Sequence, residues 1–431
     1  MTIDTGMLET PVESPSTSHR MAIAMLVGMM AIRMGVMLLV IKVLSTLFGP
    51  SQFGALTQIM GVSAIFYSLA GGGVTNGLIR YVAAERAAPP RLQWLAAAAA
   101  ICIVSSGVLA LVSIGLYFFG AQTIFLDPAL APVFLVIGAA QIVVGAGNVA
   151  LSYLSGKGEL GHFALANVAG NLVALLVTLT LALAAGYAGA SYGAAILPLG
   201  PALLGIAMLV FTRTSLRLPR PRWPQMAALL KFAAVMVIAA TAVPLAQLYL
   251  RPQLAGSDGW AQVGYWQAIS RLSDAYMQVF GVLFINLLLP RLAATSGRAR
   301  TTVLLQLGGS YIGLFLLGAA GLLVLQNVVV RVAFSPEFGP AMAFIPAQLT
   351  ADFAKIAALV FIYYFLARGT VWIQGAAELF QAGATIALYL VLQPALGPLG
   401  VVVAQAIACV VLLLALAAIF TPTILRERRE P

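Results

Sequence analysis

The chain has 431 residues, of which 61% are hydrophobic and only 8% are charged, and its formal net charge is +10. Soluble domains carry about 25% charged residues, so this composition leaves too little polar surface to cover a water-soluble globule. A nucleic-acid-binding surface is also excluded, because the basic residues are spread along the chain instead of being grouped with aromatic residues on one face.

Long apolar runs separated by glycine, proline and charged residues predict membrane-spanning helices along the whole chain. Runs of 18 or more nearly uncharged residues are typical of such helices, whereas transmembrane β-strands are shorter and alternate in polarity. We therefore predict an all-α polytopic membrane protein with about twelve transmembrane helices. The predicted spans are 21–46, 55–79, 92–119, 129–154, 163–185, 189–211, 227–250, 263–289, 303–326, 341–366, 372–392 and 397–420.

Basic residues mark one set of connections between the predicted spans. Most of the 23 basic residues fall in the tails and in alternate connections, whereas the intervening connections hold only Arg251 and Arg331. This asymmetry is the positive-inside pattern, so both termini are predicted to be cytoplasmic in a bacterial inner membrane. The polar segment 1–20 lacks the features of a cleaved signal peptide, and we interpret it as a cytoplasmic tail, like 421–431.

The predicted helices divide into two halves. A basic, proline-rich linker at 212–226 separates an N-terminal six-helix lobe at 21–211 from a C-terminal lobe at 227–420. At an offset of 210 residues, Gln52-Phe53-Gly54 matches Gln262-Val263-Gly264, and Asn76 matches Asn286. Halves that run in the same sense are related by an axis along the membrane normal, so the sequence predicts an internal repeat.

Charged residues inside the predicted spans are the first candidates for function, because each costs at least about 2.5 kcal/mol unless it is paired or hydrated. Two pairs, Arg271 with Asp274 and Asp352 with Lys355, have the i,i+3 spacing that lets partners meet on one helix face. Each pair is either a self-neutralised structural pair or part of a functional site. Lys231, near the cytoplasmic start of its span, is expected to reach the headgroup region.

Arg33 and Lys42 on the first span are harder to explain as structural residues. They are about 2.5 turns apart, so they do not share one face. Arg33 lies near the middle of its span with no acidic residue on the same helix, which predicts a hydrated cavity or an anionic ligand. On the second span, Gly71-Gly72-Gly73 and then Asn76 indicate a site of bending or close packing, and we treat them as gating candidates.

No motif in the sequence indicates an enzyme. The Walker, HExxH, CxxC and GxSxG patterns are all absent, so neither an ATP-driven motor nor a hydrolase is predicted. Cys102 and Cys409 lie in apolar runs and are interpreted as packing residues, and the two histidines fall at predicted cytoplasmic edges. We expect no cofactor and no metal site.

Residues 47–54, Leu-Phe-Gly-Pro-Ser-Gln-Phe-Gly, and the segment 76–83 after the glycine-rich second span resemble the N-terminal signature of bacterial polysaccharide flippases. These proteins belong to the multidrug/oligosaccharidyl-lipid/polysaccharide exporter superfamily, and the resemblance is to its O-antigen and lipid III translocases. The signature covers about the first 85 residues, and the helix count extends the resemblance to the whole chain.

The resemblance implies a V-shaped exporter that works by alternating access. The implied cargo is an undecaprenyl-diphosphate-linked glycan, an O-antigen or related repeat unit of lipopolysaccharide biosynthesis, which moves from the cytoplasmic to the periplasmic leaflet. Membrane lipid and the polysaccharide polymerase and chain-length machinery are further candidate partners, and nucleic acid is not expected.

The resemblance brings no universal site motif, so we assign roles from charge and depth. Arg33, Lys42 and Arg271 are the candidates for binding the diphosphate, with arginine favoured by its forked geometry. The carboxylates that are candidates for coupling to an ion or proton gradient are Asp274, Asp352 and Glu378.

Four alternatives remain open. A multidrug or cation antiporter of the same superfamily would need an acidic pocket, but the N-terminal half has no acidic residue within a span. A peptidoglycan-precursor flippase often has more than twelve helices. A membrane polymerase or ligase would need a larger extracytoplasmic loop. A non-transporting scaffold would tolerate the loss of its buried charges.

Overall fold

The computed structural model describes residues 17–71, 73–85, 87–120, 124, 128–212, 214, 217–370 and 372–427. Within these ranges the chain forms helices and no strand. Of the predicted tails, 1–16 and 428–431 lie outside the described residues, whereas 17–20 and 421–427 lie in the first and last helices. For some residues of these helices the structure describes the backbone but not the side chain. These residues are 17–27, 29–31, 33, 232, 234–236 and 423–427.

The N-terminal half contains six α-helices within the described residues. They are α1 (Thr17–Leu69), α2 (Thr75–Ala84), α3 (Ala88–Gly115), α4 (Pro132–Lys157), α5 (Leu160–Ile196) and α6 (Leu199–Phe211). Short π-helical and 3₁₀ turns at Leu116–Gly120 and Pro128–Leu130 connect α3 to α4.

Two long helices of this half are bent at glycines with positive φ. The bend in α1 lies at Gly49 (φ 64°), immediately before Pro50, and the bend in α5 lies at Gly186 (φ 58°). A residue with a Cβ is disfavoured at positive φ, so glycine supplies the turn at both points. These bends lie in the gaps predicted between spans 21–46 and 55–79 and between spans 163–185 and 189–211.

The described C-terminal half begins after the linker. Its α-helices are α7 (Trp223–Asp258), α8 (Trp260–Leu283), α9 (Leu289–Ala293), α10 (Gly297–Ala333), α11 (Ile345–Ala367), α12 (Trp372–Leu396) and α13 (Gly400–Glu427). A π-helical turn, Phe284–Leu288, joins α8 to α9, and 3₁₀ turns at Pro336–Phe344 and Gly397–Leu399 precede α11 and α13.

Eight segments of the described chain are long and apolar enough to cross a membrane. Two of them, Leu160–Phe211 and Trp372–Pro422, have 52 and 51 residues, which is more than the roughly 20 residues that one crossing needs. The prediction of an all-helical, multi-pass membrane protein is therefore confirmed.

The two halves meet where α1 crosses α8. A Cβ added to Gly54 would lie 2.4 Å from the Trp260 carbonyl oxygen, and a Cβ added to Gly264 would lie 2.0 Å from the Pro50 carbonyl oxygen. Glycine at both positions lets the two backbones touch. These glycines are the pair matched by the internal repeat, so the repeat identifies the crossing point of the halves.

Two ends of the helix bundle can be defined from these elements. The bend end contains the Gly49 bend, the α7–α8 turn at Gly259 and the end of α10 at Phe334. The linker end contains α2 and the start of α7, where Leu229 and Ala233 are buried in one cluster with residues of α2, α3 and α4. Helix α7 therefore packs on the N-terminal half at the linker end, and it packs on α8 and α12 further along.

Candidate functional site

Aromatic side chains close the bend end between the two halves. The Phe53 ring lies 5.6 Å from the Phe338 ring and 6.4 Å from the Phe334 ring, measured between centroids, and all three rings are buried. Tyr265 packs edge-on against Phe338 at 6.0 Å. Because Phe53 comes from α1 and the other rings come from the C-terminal half, these contacts join the halves.

Lys42 bridges the same two halves. Its Nζ donates a hydrogen bond to the Arg331 carbonyl oxygen at 3.0 Å and another to the Phe334 carbonyl oxygen. These carbonyls belong to the C-terminal end of α10, where unpaired carbonyl groups carry partial negative charge. In this conformation the predicted diphosphate ligand Lys42 is thus bound to a helix end.

Arg251 is a buried cation that the sequence analysis placed wrongly. The sequence predicts a connection between spans at this position, but Arg251 lies inside α7 with 2% of its surface exposed. Its Nη1 donates to the Thr57 carbonyl oxygen at 2.9 Å and to Gln58 Oε1 at 3.5 Å, and its Nη2 donates to Gln247 Oε1 at 3.1 Å. A Cβ at Gly61 would lie 2.3 Å from Nη1, so this glycine makes room for the guanidinium.

The neighbouring Pro252 explains why Arg251 was mistaken for a loop residue, since proline and charge usually mark the end of a span. The internal repeat provides a sequence signal for a functional cation at Arg251. At the offset of 210 residues, Lys42 corresponds to Pro252, which directly follows Arg251. Two cations at nearly equivalent positions of the two halves therefore each donate hydrogen bonds to carbonyl oxygens of the opposite half.

Arg271 and Asp274 form an ion pair on α8, as their i,i+3 spacing predicts. Arg271 Nη1 lies 3.3 Å from Asp274 Oδ2, and 52% of the Asp274 side chain is exposed. Gln278, four residues after Asp274, is also exposed and lies on a similar face of the helix. Exposed charged and polar side chains are costly on a helix surrounded by hydrocarbon, so we infer that this face of α8 borders a hydrated space.

Asp352 lies at the centre of a buried hydrogen-bond network, with 2% of its surface exposed. Its Oδ2 accepts hydrogen bonds from Ser273 Oγ at 2.7 Å and from the Tyr276 hydroxyl, and its Oδ1 accepts one from Gln348 Nε2 at 3.0 Å. All three partners act as donors, so both oxygens of the carboxyl group are satisfied as hydrogen-bond acceptors. Ser273, Tyr276 and Gln348 were not singled out from the sequence, although Gln348 has the i,i+4 spacing to Asp352.

Lys355 brings the predicted coupling carboxylates into one region. Its amine interacts electrostatically with Glu378, Asp352 and Asp274, and the Cys409 thiol lies in the same surroundings. The ion pairs found among the described residues do not include Asp352 with Lys355, although the i,i+3 spacing predicted that these two would meet. The physical reason is that Asp352 is bound to hydrogen-bond donors of α8 and to Gln348.

The glycine-rich segment interrupts the helix after Leu69. Gly71 (φ 87°) and Gly73 (φ 68°) have positive φ, whereas Gly72 lies outside the described residues. Asn148 Nδ2 donates to the Tyr67 carbonyl oxygen at 3.1 Å, which satisfies part of the interrupted helix end. A Cβ at Gly73 would lie 2.5 Å from Val237 Cγ2 of α7, so the break is also a close approach between the halves.

Asn76 and Arg33 are the last two of the predicted site residues. Asn76 is the second residue of α2, just after this break, and is exposed, like its repeat counterpart Asn286. Arg33 lies on α1, but its side chain is outside the described part of the chain, so its role stays a prediction.

Comparison with known proteins gives relatives over nearly the whole chain. Two proteins named lipid III flippase, from Escherichia coli (strain K12) and Shigella flexneri, are 27% identical over 376 residues, which is 86% of this chain and 90% of each relative. No protein-family model matches the chain.

Solved structures with low sequence identity share the fold. An inward-facing multidrug-resistance transporter of the MATE family matches 93% of this chain and 95% of its own, with TM-score 0.71 and 14% identity. The lipid II flippase MurJ, in an inward closed conformation, matches 95% of this chain and 90% of its own, with TM-score 0.72 and 13% identity. The chain therefore has the fold of MOP-superfamily transporters and is a homologue of proteins named lipid III flippase, which are transporters and not enzymes.

Proposed function

We propose that this protein is a flippase that carries a lipid-linked oligosaccharide between the leaflets of a membrane by alternating access between its two halves. The homology to lipid III flippases supports the class of cargo, because it extends over 86% of the chain. The observation that carries the mechanism is the contact of Gly54 with Trp260 and of Gly264 with Pro50, which closes the halves on each other at one end.

The chemistry of such a cargo explains why a hydrated passage is needed. A diphosphate and a glycan are too polar to cross hydrocarbon unaided, since each buried charge is costly there. The exposed polar face of α8 that begins at Asp274 offers a wall for this passage. The lipid tail would stay in the bilayer while the polar part moves between the halves.

The proposed topology has twelve crossings in two lobes, 21–211 and 227–420. Three of the eight apolar segments, Met34–Leu69, Leu160–Phe211 and Trp372–Pro422, contain a bend or a break and would each cross twice. Helix α7, with 36 residues, would add the remaining crossing. By the positive-inside rule, the basic linker, the linker end and both termini would lie in the cytoplasm of a bacterium, and the bend end would face the periplasm.

We assign the predicted residue roles to states of this cycle. Lys42 and Arg271 are engaged in the closed conformation, by the end of α10 and by Asp274, and would be released towards a diphosphate when the halves separate. Arg33 is retained as the third diphosphate ligand on the sequence argument alone. Asp274, Asp352 and Glu378 would couple the cycle to an ion or proton gradient through the region around Lys355.

The finer identity of the cargo rests on the resemblance seen in the sequence. We infer an undecaprenyl-diphosphate-linked repeat unit of a surface polysaccharide, such as the O-antigen of lipopolysaccharide. The polymerase and chain-length machinery would then receive the repeat unit on the periplasmic side of the inner membrane.

A depletion strain tests the proposed function in cells. When the protein is depleted, we expect the lipid-linked glycan to accumulate in the cytoplasmic leaflet, because its synthesis continues and its export stops. The leaflet distribution is measured with a membrane-impermeant, glycan-modifying reagent applied to spheroplasts. An unchanged distribution after depletion would exclude the flippase function, and re-expression of the wild-type chain is the control.

A further inference from the structure

A groove at the linker end lies between α2 of the N-terminal half and the first three turns of α7. It has a volume of about 460 Å³ and is lined by Tyr81, Pro224, Ala227, Ala228 and Lys231. No carboxylate lines it, and the ion pairs found among the described residues leave Lys231 unpaired. The lining combines one free cation with an otherwise apolar and aromatic wall.

The walls of this groove are held in place by packing on both sides. The Tyr81 ring stacks on the Trp94 ring of α3, with centroids 4.1 Å apart and an interplanar angle of 5°. On the other wall, Leu229 and Ala233 of α7 are buried against the N-terminal helices. Lys231 itself is exposed, so its amine is directed away from this buried face.

The groove also lies where a membrane surface is expected. Exposed arginines, Arg217, Arg220 and Arg222, precede α7, and the exposed Trp223 begins it. Tryptophan and tyrosine concentrate at membrane–water interfaces, and lysine near a span end extends its amine to the headgroups. A ligand in this groove would therefore meet the headgroup layer.

We propose that this groove binds an anionic phospholipid of the surrounding leaflet, with the phosphate on Lys231 Nζ and the acyl chains along Ala227 and Ala228. One lysine matches the single charge of a phosphodiester better than the higher charge of a diphosphate. The groove is open and of headgroup size, so an attached oligosaccharide has no enclosure there.

The test measures lipid binding and is independent of any transport assay. The full chain is purified, and its retention of phosphatidylglycerol and of phosphatidylcholine is compared by native mass spectrometry. We expect Lys231→Gln to reduce phosphatidylglycerol retention about fivefold, with phosphatidylcholine unaffected, which is the contribution of one interfacial basic residue. Arg298→Gln, at another exposed cation, is the matched control and should retain the lipid.

A second variant tests the groove separately from the charge. Ala228→Leu fills the groove and should lower the retention of phosphatidylglycerol while Lys231 remains in place. Equal retention by the wild type and by both variants would overturn the proposal. Retention of undecaprenyl diphosphate in place of phosphatidylglycerol would also overturn it, because the occupant would then be the carrier lipid of the cargo.

Discussion

Replacing Gly264 by alanine is expected to open the bend end. The added Cβ would lie 2.0 Å from the Pro50 carbonyl oxygen, and a backbone atom cannot yield as a flexible side chain does. Overpacking costs about 1–3 kcal/mol, which corresponds to a shift of roughly 5- to 150-fold in the ratio of closed to open protein. Gly54→Ala should shift the ratio in the same direction, because its Cβ would lie 2.4 Å from the Trp260 carbonyl oxygen.

A buried reporter cysteine measures this shift. Ala341 is fully buried beside the closed aromatic contacts, so Ala341→Cys should react slowly with a membrane-impermeant thiol reagent applied from the bend-end side. The rate is expected to rise when Gly264→Ala is added. Gly313→Ala is the control, since its Cβ would meet no atom within 4 Å. Equal labelling rates in folded Gly264→Ala and control proteins would contradict the closure at this crossing.

Replacing Asp352 by asparagine is expected to uncouple transport from an imposed ion or proton gradient. The substitution keeps the shape of the side chain but removes the ionisable carboxyl group that accepts hydrogen bonds from Ser273, Tyr276 and Gln348. Leaving a buried donor unsatisfied costs about 1–3 kcal/mol, so the loss of even one of these hydrogen bonds changes an equilibrium about fivefold or more. We expect gradient-driven transport to fall by at least that factor.

The Asp352 measurement compares transport in proteoliposomes with and without a gradient. Tyr276→Phe is the matched control: it also loses one hydrogen bond to Asp352 and should transport more slowly, but it keeps the carboxyl group, so the ratio of transport with a gradient to transport without one should stay as in the wild type. A purely structural role predicts that Asp352→Asn lowers the unfolding temperature but preserves the response to the gradient. That result would remove Asp352 from the coupling proposal.

The helical architecture was predictable because the bilayer imposes it. Uncharged runs long enough to cross hydrocarbon are recognisable without structural knowledge, and the bends at Gly49 and Gly186 lie in predicted gaps. The internal repeat also identified Gly54 and Gly264 before their contact was visible. Local spacing was sufficient for Arg271 and Asp274, since both lie on one helix.

The candidate site was predicted less well, because its contacts join distant segments. The bonds of Lys42 to the end of α10 span about 290 residues, and no sequence pattern indicates that a lysine will bind carbonyl oxygens. Asp352 was recognised as a buried charge, but its partners Ser273 and Tyr276 come from α8 and are common residue types. Arg251 was missed because proline and charge imitate the end of a span.

The most direct test of alternating access is a reversible lock at the bend end. Cysteines replacing Phe53 and Phe338, whose rings meet across the halves, are linked with a bifunctional methanethiosulfonate reagent that spans the space of the two rings and attaches through disulfide bonds. Transport of a labelled lipid-linked oligosaccharide is then measured in proteoliposomes, with each single-cysteine variant as control. We predict that linking reduces transport to the level of empty liposomes and that a reductant restores it. Undiminished transport by the linked protein would contradict passage of the cargo between the two halves.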